Sequence, residues 1–557
     1  MRRLHRVAAA ALTTLAAAQA GAQLVLPPAI DSGAQQQRQI DEQNRRREAE
    51  TGLPQPAQPL TRPAAPAVPA VPRSDADVRI TVKEIRFSPS EILSNEELEA
   101  IAAPYRGRPV SLAELQQLAD QVNALYKAKG VVTALATIPQ QDVTNGVIEV
   151  RLVEGRVGAV HLSGNASTRD SYIESRLGLS GGMLVDLNRL ERSLIWFNET
   201  NDIRLQADLQ PGTAFGTTDI NVNVVEPPRQ ELLLTLDNLG SALTGEWRGG
   251  VSYRNRSLFG FRDELFASYT GASGQDSGAL TYSVPFNPWG GRVNVGFYED
   301  KTAIKYGTLS SLNITGNSST QIVGLRQPVW VDSTTQWTLV GGALWRDSSN
   351  YIDGTFLQRT DSHDHNLGVE WQWIGTSSTV SASVVQNWIE ATTVESRSYQ
   401  AQRGWLRYNQ ALPRDFSLRA NFNGQYTTDR NLPSAEQFIL GGEGSVRGYP
   451  IGTIAGDRGY TVNLEVHHPL PVFTVASQAV PTSAFVFTDY GNVEPYRPVG
   501  SLLSPSEKLT GVGFGFNAAV GKSLSARLTF AWGLDSLPAP NQGKPNQVMF
   551  QLIASLL

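Results

Sequence analysis

The two residues whose types and positions most clearly suggest a specific interaction are an arginine and an aspartate. They predict an ion pair and not a catalytic site. Arg447 stands in the glycine-rich stretch 441–450, and Asp489 stands in the run 487–491. A guanidinium holds a carboxylate through two parallel hydrogen bonds, and glycines let the surrounding backbone fold tightly. The sequence therefore predicts an ion pair that fastens one segment to another. Removing one member of such a pair, when it is poorly hydrated, costs about 3 to 5 kcal/mol.

Patterns typical of enzymes and metal sites are missing from the 557 residues. Cysteine is absent, which excludes thiol catalysis, and no G-x-S-x-G motif occurs. Residues 521–523 read Gly-Lys-Ser, but Phe516 stands where a phosphate-binding loop requires glycine. His363 and His365 flank Asp364 in a polar run that we expect to be a surface loop. We expect no enzyme activity, no cofactor and no metal, and the net charge of -5 argues against nucleic-acid binding.

Residues 229–557 alternate apolar and polar positions, which indicates strands with one apolar and one wet face. Tryptophans gather near the ends of these segments, as in the aromatic girdles of membrane barrels. The pattern predicts about sixteen antiparallel strands closed into a membrane β-barrel. The strands begin near residues 230, 246, 261, 278, 289, 319, 335, 366, 378, 400, 415, 458, 482, 508, 523 and 546.

The longest segment between predicted strands, residues 427–457, contains Arg447. Loops of this length are uncommon unless they are functional. If the segment folds back into the wet bore of the barrel, Arg447 reaches Asp489 on the inner wall and pins the loop there.

Residues 78–228 contain an internal repeat. Val110 and Val185, Leu112 and Leu187, and Leu115 and Leu190 are each offset by 75 positions. Each copy follows the order strand, helix, helix, strand, strand, which predicts two small α/β domains, residues 78–155 and 156–228. Ser111 and Asp186 are the predicted N-caps of the second helix in each copy. Free sheet edges in such domains can accept an extended polypeptide; otherwise the domains are spacers.

Three different segments precede the repeat. Residues 1–22 carry an arginine-containing start, an apolar stretch and small residues, which predicts a cleaved signal peptide. Residues 23–52 are rich in Gln, Arg and Glu and predict a polar helix without an apolar stripe, which is solvated, lies in a polar cavity, or is a disordered tail. Residues 53–77 carry seven prolines and predict an extended linker.

Two motifs resemble those of a known superfamily. Residues 446–449, Val-Arg-Gly-Tyr, look like the sixth-loop motif of the Omp85 superfamily, and residues 487–491, Phe-Thr-Asp-Tyr-Gly, resemble its F-x-D-x-G motif. Asp457 and Glu465 fall where the family carries its strand-twelve signature. With two POTRA-like domains, a polar helix and a linker, the chain resembles the TpsB transporters of two-partner secretion, the ShlB/FhaC/HecB type. The loop-pinning and gating residues implied are Val446, Arg447, Gly448, Tyr449, Asp457, Glu465, Phe487, Asp489 and Gly491.

The resemblance implies an outer-membrane protein of a Gram-negative bacterium with its POTRA domains in the periplasm. These domains would capture an unfolded partner exoprotein of the haemolysin or adhesin type, and the barrel would conduct it outward without ATP. The helix would plug the resting pore. Outer-membrane lipids and, during biogenesis, the barrel assembly machinery are the other implied partners. Leu557 departs from the terminal aromatic of many outer-membrane barrels.

Two other functions stay open from the sequence. An Omp85-type assembly factor inserts other barrels, and a porin passes small solutes. Two repeats together with the helix and linker favour transport over insertion, and the α/β domains would be superfluous in a porin.

Overall fold

The computed structural model describes residues 26–50, 60–61, 79–129, 131, 133–143, 145–214, 216–475, 478–497, 501, 504–521, 523–537 and 543–557. For residues 45–50, 60–61 and 475 only the backbone is described. The predicted signal peptide, residues 1–22, and most of the predicted linker, residues 53–77, lie outside the described residues. The chain divides into two compact units, one holding the N-terminal helix with the residues after 227 and the other holding residues 57–227.

Helix α1 (Ser32–Glu50) lies where the sequence predicts a polar helix. Asp31 precedes it and accepts a hydrogen bond from the amide of Ala34 at 2.8 Å. The helix buries polar side chains, Ser32, Gln35 and Gln36, together with Ile40. A solvated helix would leave these glutamines in water, so α1 lies in a polar cavity of the unit to which it belongs. The alternative of a disordered tail is wrong for residues 32–50.

The second unit contains the two repeats. The first repeat, after the short strand β1 (Leu60–Thr61), comprises β2 (Arg79–Thr81), β3 (Glu84–Phe87), α2 (Asn95–Ala102), β4 (Pro109–Ser111), α3 (Leu112–Ala128), β5 (Leu135–Thr137) and β6 (Val147–Val153). The second comprises β7 (Arg156–Ser163), α4 (Asp170–Leu177), α5 (Leu187–Thr200), β8 (Arg204–Pro211) and β9 (Thr217–Val225). Both have the predicted element order, except that the first strand of the first repeat is divided into β2 and β3 and that the short strand β4 lies between its two helices.

Each repeat packs its second helix on a small sheet. In the first repeat β3 pairs in parallel with β6, and β5 pairs with β6 on its other side. In the second repeat the sheet order is β1-β8-β9-β7. Leu115, Leu118 and Val122, spaced three and four residues apart on α3, are buried against strand residues such as Ile148. The predicted N-caps are confirmed, because the side chains of Ser111 and Asp186 accept hydrogen bonds from the third amide of their helices.

The other unit is a closed antiparallel barrel of sixteen strands, as the alternation predicts. Its first eleven strands are β10 (Gln230–Asp237), β11 (Arg248–Asn255), β12 (Glu264–Ala272), β13 (Gln275–Pro285), β14 (Arg292–Ala303), β15 (Ile314–Val331), β16 (Thr335–Ile352), β17 (Thr355–Ile374), β18 (Ser378–Thr392), β19 (Ser396–Ala411) and β20 (Ser417–Tyr426). Two short strands follow inside the long loop, β21 (Phe438–Leu440) and β22 (Ile454–Gly456). The barrel is completed by β23 (Arg458–Val475), β24 (Gln478–Glu494), β25 (Glu507–Val520), β26 (Leu524–Gly533) and β27 (Asn546–Ser555).

The two faces of the barrel differ in chemistry. Outward positions carry exposed apolar side chains, for example Leu280, Phe297 and Val384, while inward positions are mostly polar. We call the end at which β10 begins and β27 ends the proximal end, and the end that carries residues 427–457 the distal end. The ring is closed between β10 and β27 by five residue pairs.

One predicted loop is wrong. His363 and His365 were expected in a surface loop, but both lie within β17, which begins at Thr355 and not near residue 366. The strand continues beyond the apolar belt, and there its outward side chains are polar, such as Arg359 and Asp361. Because both faces of the strand are polar here, the sequence lacks the alternation of apolar and polar residues by which strands are recognised.

Among the described residues, none of the helices combines the length and the apolar character needed to cross a bilayer.

We expect Ser111→Ala to loosen the start of helix α3. The Ser111 hydroxyl accepts from the amide of Glu114 at 3.2 Å, and the Glu114 carboxylate accepts from the amide of Ser111 at 2.8 Å. Losing such a cap costs about 1 kcal/mol, which corresponds to about fivefold faster amide exchange in the first turn. Hydrogen exchange on the full chain measures this, with the exposed Ser163→Ala as control. Unchanged exchange in the first turn of α3 would show that the cap does not stabilise it.

Candidate functional site

Residues 427–457, the inner loop, run from β20 back to β23 through the bore of the barrel. Strands β21 and β22 pair with each other to form its short hairpin. Leu440, Val446 and Tyr449 are fully buried in the loop and pack against Val493 and Leu509. Both of these partners are on the barrel wall, on β24 and β25. The loop therefore lines the inner wall, as the sequence predicts.

Arg447 and Asp489 meet on this wall. The guanidinium of Arg447 donates from Nε to Oδ2 and from Nη2 to Oδ1 of Asp489, both at 2.7 Å. The backbone amide of Arg447 also donates to Oδ2, at 3.0 Å. Asn463 on β23 donates to Oδ1 at 2.8 Å and to the carbonyl of Ser445 at 2.6 Å. The carboxylate is completely buried, and it fastens both the side chain and the backbone of the loop to β24.

A second carboxylate and an aromatic ring complete the surroundings of Arg447. Its Nη1 donates to Glu465 on β23, and its guanidinium carbon lies 3.6 Å from the centre of the Phe487 ring. Glu465 also pairs with Nε2 of His467 at 2.7 Å and with Arg527 on β26 at 3.2 Å. Arg447 thereby joins strands β23 and β24 directly, and through Glu465 it is linked to β26.

The charge of Arg447 is stabilised by these partners. Burial alone would lower the pKa of Arg447, but the hydrogen bonds and charges of Asp489 and Glu465 outweigh it and raise the pKa. Replacing Arg447 by a neutral residue leaves two buried carboxylates without their shared cation, and breaking a buried pair in this way costs about 3 to 5 kcal/mol.

Glycines make the close approach of loop and wall possible. Gly448 has φ of 92°, and a Cβ added there would lie 2.7 Å from the amide nitrogen of Gly533. A Cβ on Gly511 would overlap the carbonyl oxygen of Arg447, and one on Gly491 would lie 2.7 Å from Leu440. Tyr449 occupies the space above Gly533 and accepts a hydrogen bond from the amide of Asp535 at 2.8 Å. The loop thus rests on a strip of wall without side chains.

The remaining predicted residue, Asp457, does not belong to this cluster. Its carboxylate accepts the amides of Asn431 and Leu432, at 2.8 and 2.9 Å, and so closes the base of the inner loop. Burial raises the pKa of Asp457 although these two amides and nearby arginines oppose the shift. The other eight predicted residues lie together at the Arg447 site.

Glu436 forms a second attachment of the inner loop that the sequence analysis missed. Its carboxylate accepts from Arg346 on β16 at 2.9 Å and from Arg403 on β19 at 2.6 Å, and Gln425 on β20 donates to its carbonyl at 2.7 Å. Burial alone would raise the pKa of Glu436, but the two guanidinium groups lower it. Arg346 also donates to Gln37 of helix α1. One guanidinium therefore contacts the wall, the loop and the helix.

Helix α1 lies against β14, β15, β16 and β11. Gln36 donates to the carbonyls of Tyr298 and Ser318, at 3.0 and 2.9 Å, and accepts from the hydroxyl of Ser318 at 2.7 Å. Further along, Glu42 receives both Nη atoms of Arg248 at 2.8 Å. These contacts use polar groups of the inner wall, and this explains a helix without an apolar stripe.

The sequence contains features that point to the residues missed above, but these features do not show which residues contact each other. The alternate glycines Gly511, Gly513 and Gly515 mark a strand face that must be bare. Glu436 is one of two glutamates between Arg430 and Arg447, yet its partners Arg346 and Arg403 lie on two separate strands. Strand alternation places them inside the barrel without showing which of them meet.

Comparison with known proteins gives two family matches. Residues 216–518 match the family described as haemolysin secretion/activation protein ShlB/FhaC/HecB. Residues 80–155 match the ShlB-type POTRA domain.

Individual proteins are similar over most of the chain. The heme/hemopexin transporter protein HuxB of Haemophilus influenzae is 24% identical over 465 residues, 79% of this chain and 81% of HuxB. The outer membrane transporter CdiB of Dickeya dadantii is 26% identical over 409 residues, 68% of this chain and 70% of CdiB. The structure of CdiB from Escherichia coli superposes with a TM-score of 0.65 at 19% identity, covering 96% of this chain and 100% of that one, and supports the same fold.

We expect Gly511→Ala to displace the inner loop from the wall. The new methyl group would overlap the Arg447 carbonyl, and overpacking of this kind costs about 1 to 3 kcal/mol. Tryptic cleavage after Arg447, followed by mass spectrometry of the detergent-solubilised chain, should become at least about fivefold faster. Gly278→Ala is the matched control, because a Cβ on this strand glycine meets nothing within 4 Å. Equal cleavage rates in the two variants would contradict the close packing at Gly511.

Proposed function

The chain belongs to the haemolysin secretion/activation family ShlB/FhaC/HecB, and we propose that the barrel interior described above is its regulated path for an exported protein. The family match covers 303 of the 557 residues, 216–518. The chain is an outer-membrane transporter of two-partner secretion and not an enzyme. The observation that carries the proposed regulation is a bore occupied by two separately fastened segments, the inner loop and helix α1.

Export of one partner exoprotein is a better assignment than insertion of other barrels. The relatives HuxB and CdiB are both named transporters. Haemolysin, heme-binding and CdiA-like exoproteins are the classes of cargo that the relatives suggest, and an unfolded, secreted, repeat-rich protein is the form that a bore of this kind accepts. Outer-membrane lipids surround the apolar outer face, and the barrel assembly machinery is the further partner during biogenesis.

The two α/β domains supply the capture step of this proposal. In the first domain, β3 and β5 are the outer strands of the three-stranded sheet, and in the second domain β7 is an outer strand. Such edges bind an extended polypeptide by main-chain hydrogen bonds, with little demand on its sequence. This suits a partner that arrives unfolded in the periplasm.

Helix α1 serves as the plug of the resting pore in this proposal. It is held by a bidentate ion pair, Arg248 with Glu42, and by the hydrogen bonds of Gln36. All of these partners are polar, so water can replace them when the helix leaves, at a much smaller cost than exposing an apolar core.

The Arg447 site holds the inner loop in the conformation that conducts. Asp489 binds both the amide and the guanidinium of Arg447, so the loop backbone and the side chain are fixed together. Glu436 holds the first half of the loop independently of Arg447.

We expect Arg447→Ala to insert normally and to lose export. Removing the cation from two buried carboxylates releases the loop, and the quantity of exported protein should fall more than about tenfold. Secretion of a co-expressed candidate exoprotein of the haemolysin type measures this, and heat-modifiable migration of the barrel verifies insertion. Arg430→Ala is the matched control in the same loop, since Arg430 is half exposed and lies 3.9 Å from its partner Glu494. Undiminished secretion by Arg447→Ala would show that export does not require the ion pair between Arg447 and Asp489.

We expect deletion of residues 23–50 to raise ion conductance in planar bilayers. The helix occupies space along β14, β15 and β16, and its removal leaves that space to water and ions. The full-length chain is the control in the same bilayers. If both proteins conduct equally, α1 does not plug the pore.

A further inference from the structure

The inner wall of the barrel contains an apolar cavity near its proximal end, which we call the proximal hollow. It lies on the strands β23 to β27 and has a volume of about 510 Å³. Arg527 lines it and points into the bore, because its guanidinium contacts Glu465 of the Arg447 site. Most of the other lining residues occupy inward positions in register with Arg527 or two residues nearer the proximal end. The proximal hollow is therefore part of the bore.

Two rows of inward side chains form the proximal hollow. The upper row, which follows the strand pairings across the wall, consists of Pro469, Ser483, Asn517, Arg527 and Gln551. The lower row, nearer the proximal end, consists of Pro481, Ala519, Ser525 and Ile553. In the next row toward the distal end, the ring of Phe485 fills the space above Gly515, where a Cβ would overlap it. The two lower rows carry mostly short side chains, and this leaves the space open.

The surface of the proximal hollow is mostly carbon. Its proline, alanine and isoleucine side chains offer no polar group. The hydroxyl of Ser483 accepts a hydrogen bond from Nδ2 of Asn517 at 3.2 Å, so these two polar groups bind each other. The guanidinium of Arg527 is engaged by Glu465 and lies 4.4 Å from the centre of the Phe485 ring. Apolar walls with few polar groups are typical of ligand sites, and they are an exception on this mostly polar inner wall.

The closed ring limits what can enter the proximal hollow. Lipid does not reach the inner face of a closed barrel. Among the described residues, neither helix α1 nor the inner loop lines the hollow, and α1 bonds to β11, β14, β15 and β16. The inner loop stays on the distal side, where Oε1 of Glu443 lies 3.4 Å from Nε of Arg527. A polypeptide that passes through the bore can bring apolar side chains to this place.

The volume suits side chains of a passing polypeptide. It lies within the range of about 300 to 1,000 Å³ of pockets that hold drug-sized molecules, so it can accept a leucine or phenylalanine side chain with its adjacent main chain. An unfolded chain exposes such side chains to water, and their burial against carbon is favourable. Because this driving force has no direction, one hollow can receive successive apolar residues of the same chain.

We propose that the proximal hollow is a binding site for apolar side chains of the exported polypeptide as it enters the bore. This inference rests on the proposed export function and adds the chemistry of its substrate. Glu465 accepts hydrogen bonds from both Arg527 and Arg447, so the hollow and the attachment of the inner loop share one carboxylate. A segment bound in the hollow is held directly on the proximal side of that attachment.

The test is photo-cross-linking of a synthetic peptide to the full chain in lipid nanodiscs, which contain no free detergent. The probe is an unstructured 20-residue peptide of glycine and serine that carries four photoreactive leucine analogues. Mass spectrometry should locate its adducts on the residues that line the proximal hollow. An unlabelled peptide with four leucines should suppress these adducts at a concentration at least about tenfold lower than a peptide with four asparagines at the same positions.

Matched variants separate the proximal hollow from the rest of the bore. Ile553→Asn makes its wall polar and should raise the suppressing concentration of the leucine peptide about fivefold. Val340→Asn is the control, because Val340 is a half-buried inward residue of β16, on the opposite side of the ring. Ala519→Phe fills the hollow and should lower the yield of its adducts at least about fivefold. This second variant keeps the test valid if Ile553→Asn, on the closing strand, fails to insert.

Three results would overturn the proposal. The first is equal suppression by the leucine and asparagine peptides, or adducts unaffected by Ile553→Asn and Ala519→Phe. The second is the absence of adducts at the proximal hollow both in the full chain and in the variant lacking residues 23–50. The third is suppression by N-acetyl-leucinamide that equals suppression by the leucine peptide at the same concentration of leucine side chains, because the hollow would then bind small apolar molecules.

Secretion by the same proteins keeps this inference distinct from the proposed function. If the unaltered chain secretes its exoprotein but forms no adducts at the proximal hollow, the binding site is wrong and export stands. If adducts form there but the unaltered chain secretes none of the candidate exoproteins, the export proposal is wrong and the binding of apolar side chains stands.

Discussion

One buried carboxylate, that of Asp489, organises the interior of this barrel. It accepts the amide and two guanidinium nitrogens of Arg447 and the amide group of Asn463, so four donors converge on one group. A charge in such a place is stable only while its partners stay together. The glycines Gly511 and Gly533 let the loop approach the wall closely, and Gly448 itself packs against the wall. The ring of Phe487 lies against the guanidinium, so these features keep Arg447 beside Asp489. The second half of the inner loop consequently stays on the wall only while Arg447, Asn463 and Asp489 remain together.

Most of the architecture could be predicted from the sequence, because it follows from local periodicity. Strand alternation predicted the sixteen strands, the offset of 75 residues predicted the two α/β domains, and Ser111 and Asp186 were readable as caps. The pairing of Arg447 with Asp489 was readable because each lies in its own short motif. Fifteen of the predicted strand starts fall within five residues of the observed ones; the sixteenth, on β17, fails where outward residues become polar.

What escaped prediction depends on contacts between separate elements. Glu436 bonds to arginines on β16 and β19, and no local spacing connects Glu436 to Arg346 or Arg403. The side of the bore that holds helix α1 also depends on closure of the ring, which brings Arg248 next to Glu42 and Tyr298 next to Gln36. The polar helix thus occupies a wall of paired charges and hydroxyls.

The seam between β10 and β27 has a consequence for how this cylinder is made. Leu233 lies opposite Ser555, so the closing contacts join positions more than 300 residues apart, and among the described strands this is the most non-local pairing. Without β27, the other fifteen strands would form an open sheet with two unpaired edges, each able to pair with a foreign strand. The unpaired edges of the growing sheet consequently need protection from other strands, and this need ends when β27 pairs with β10.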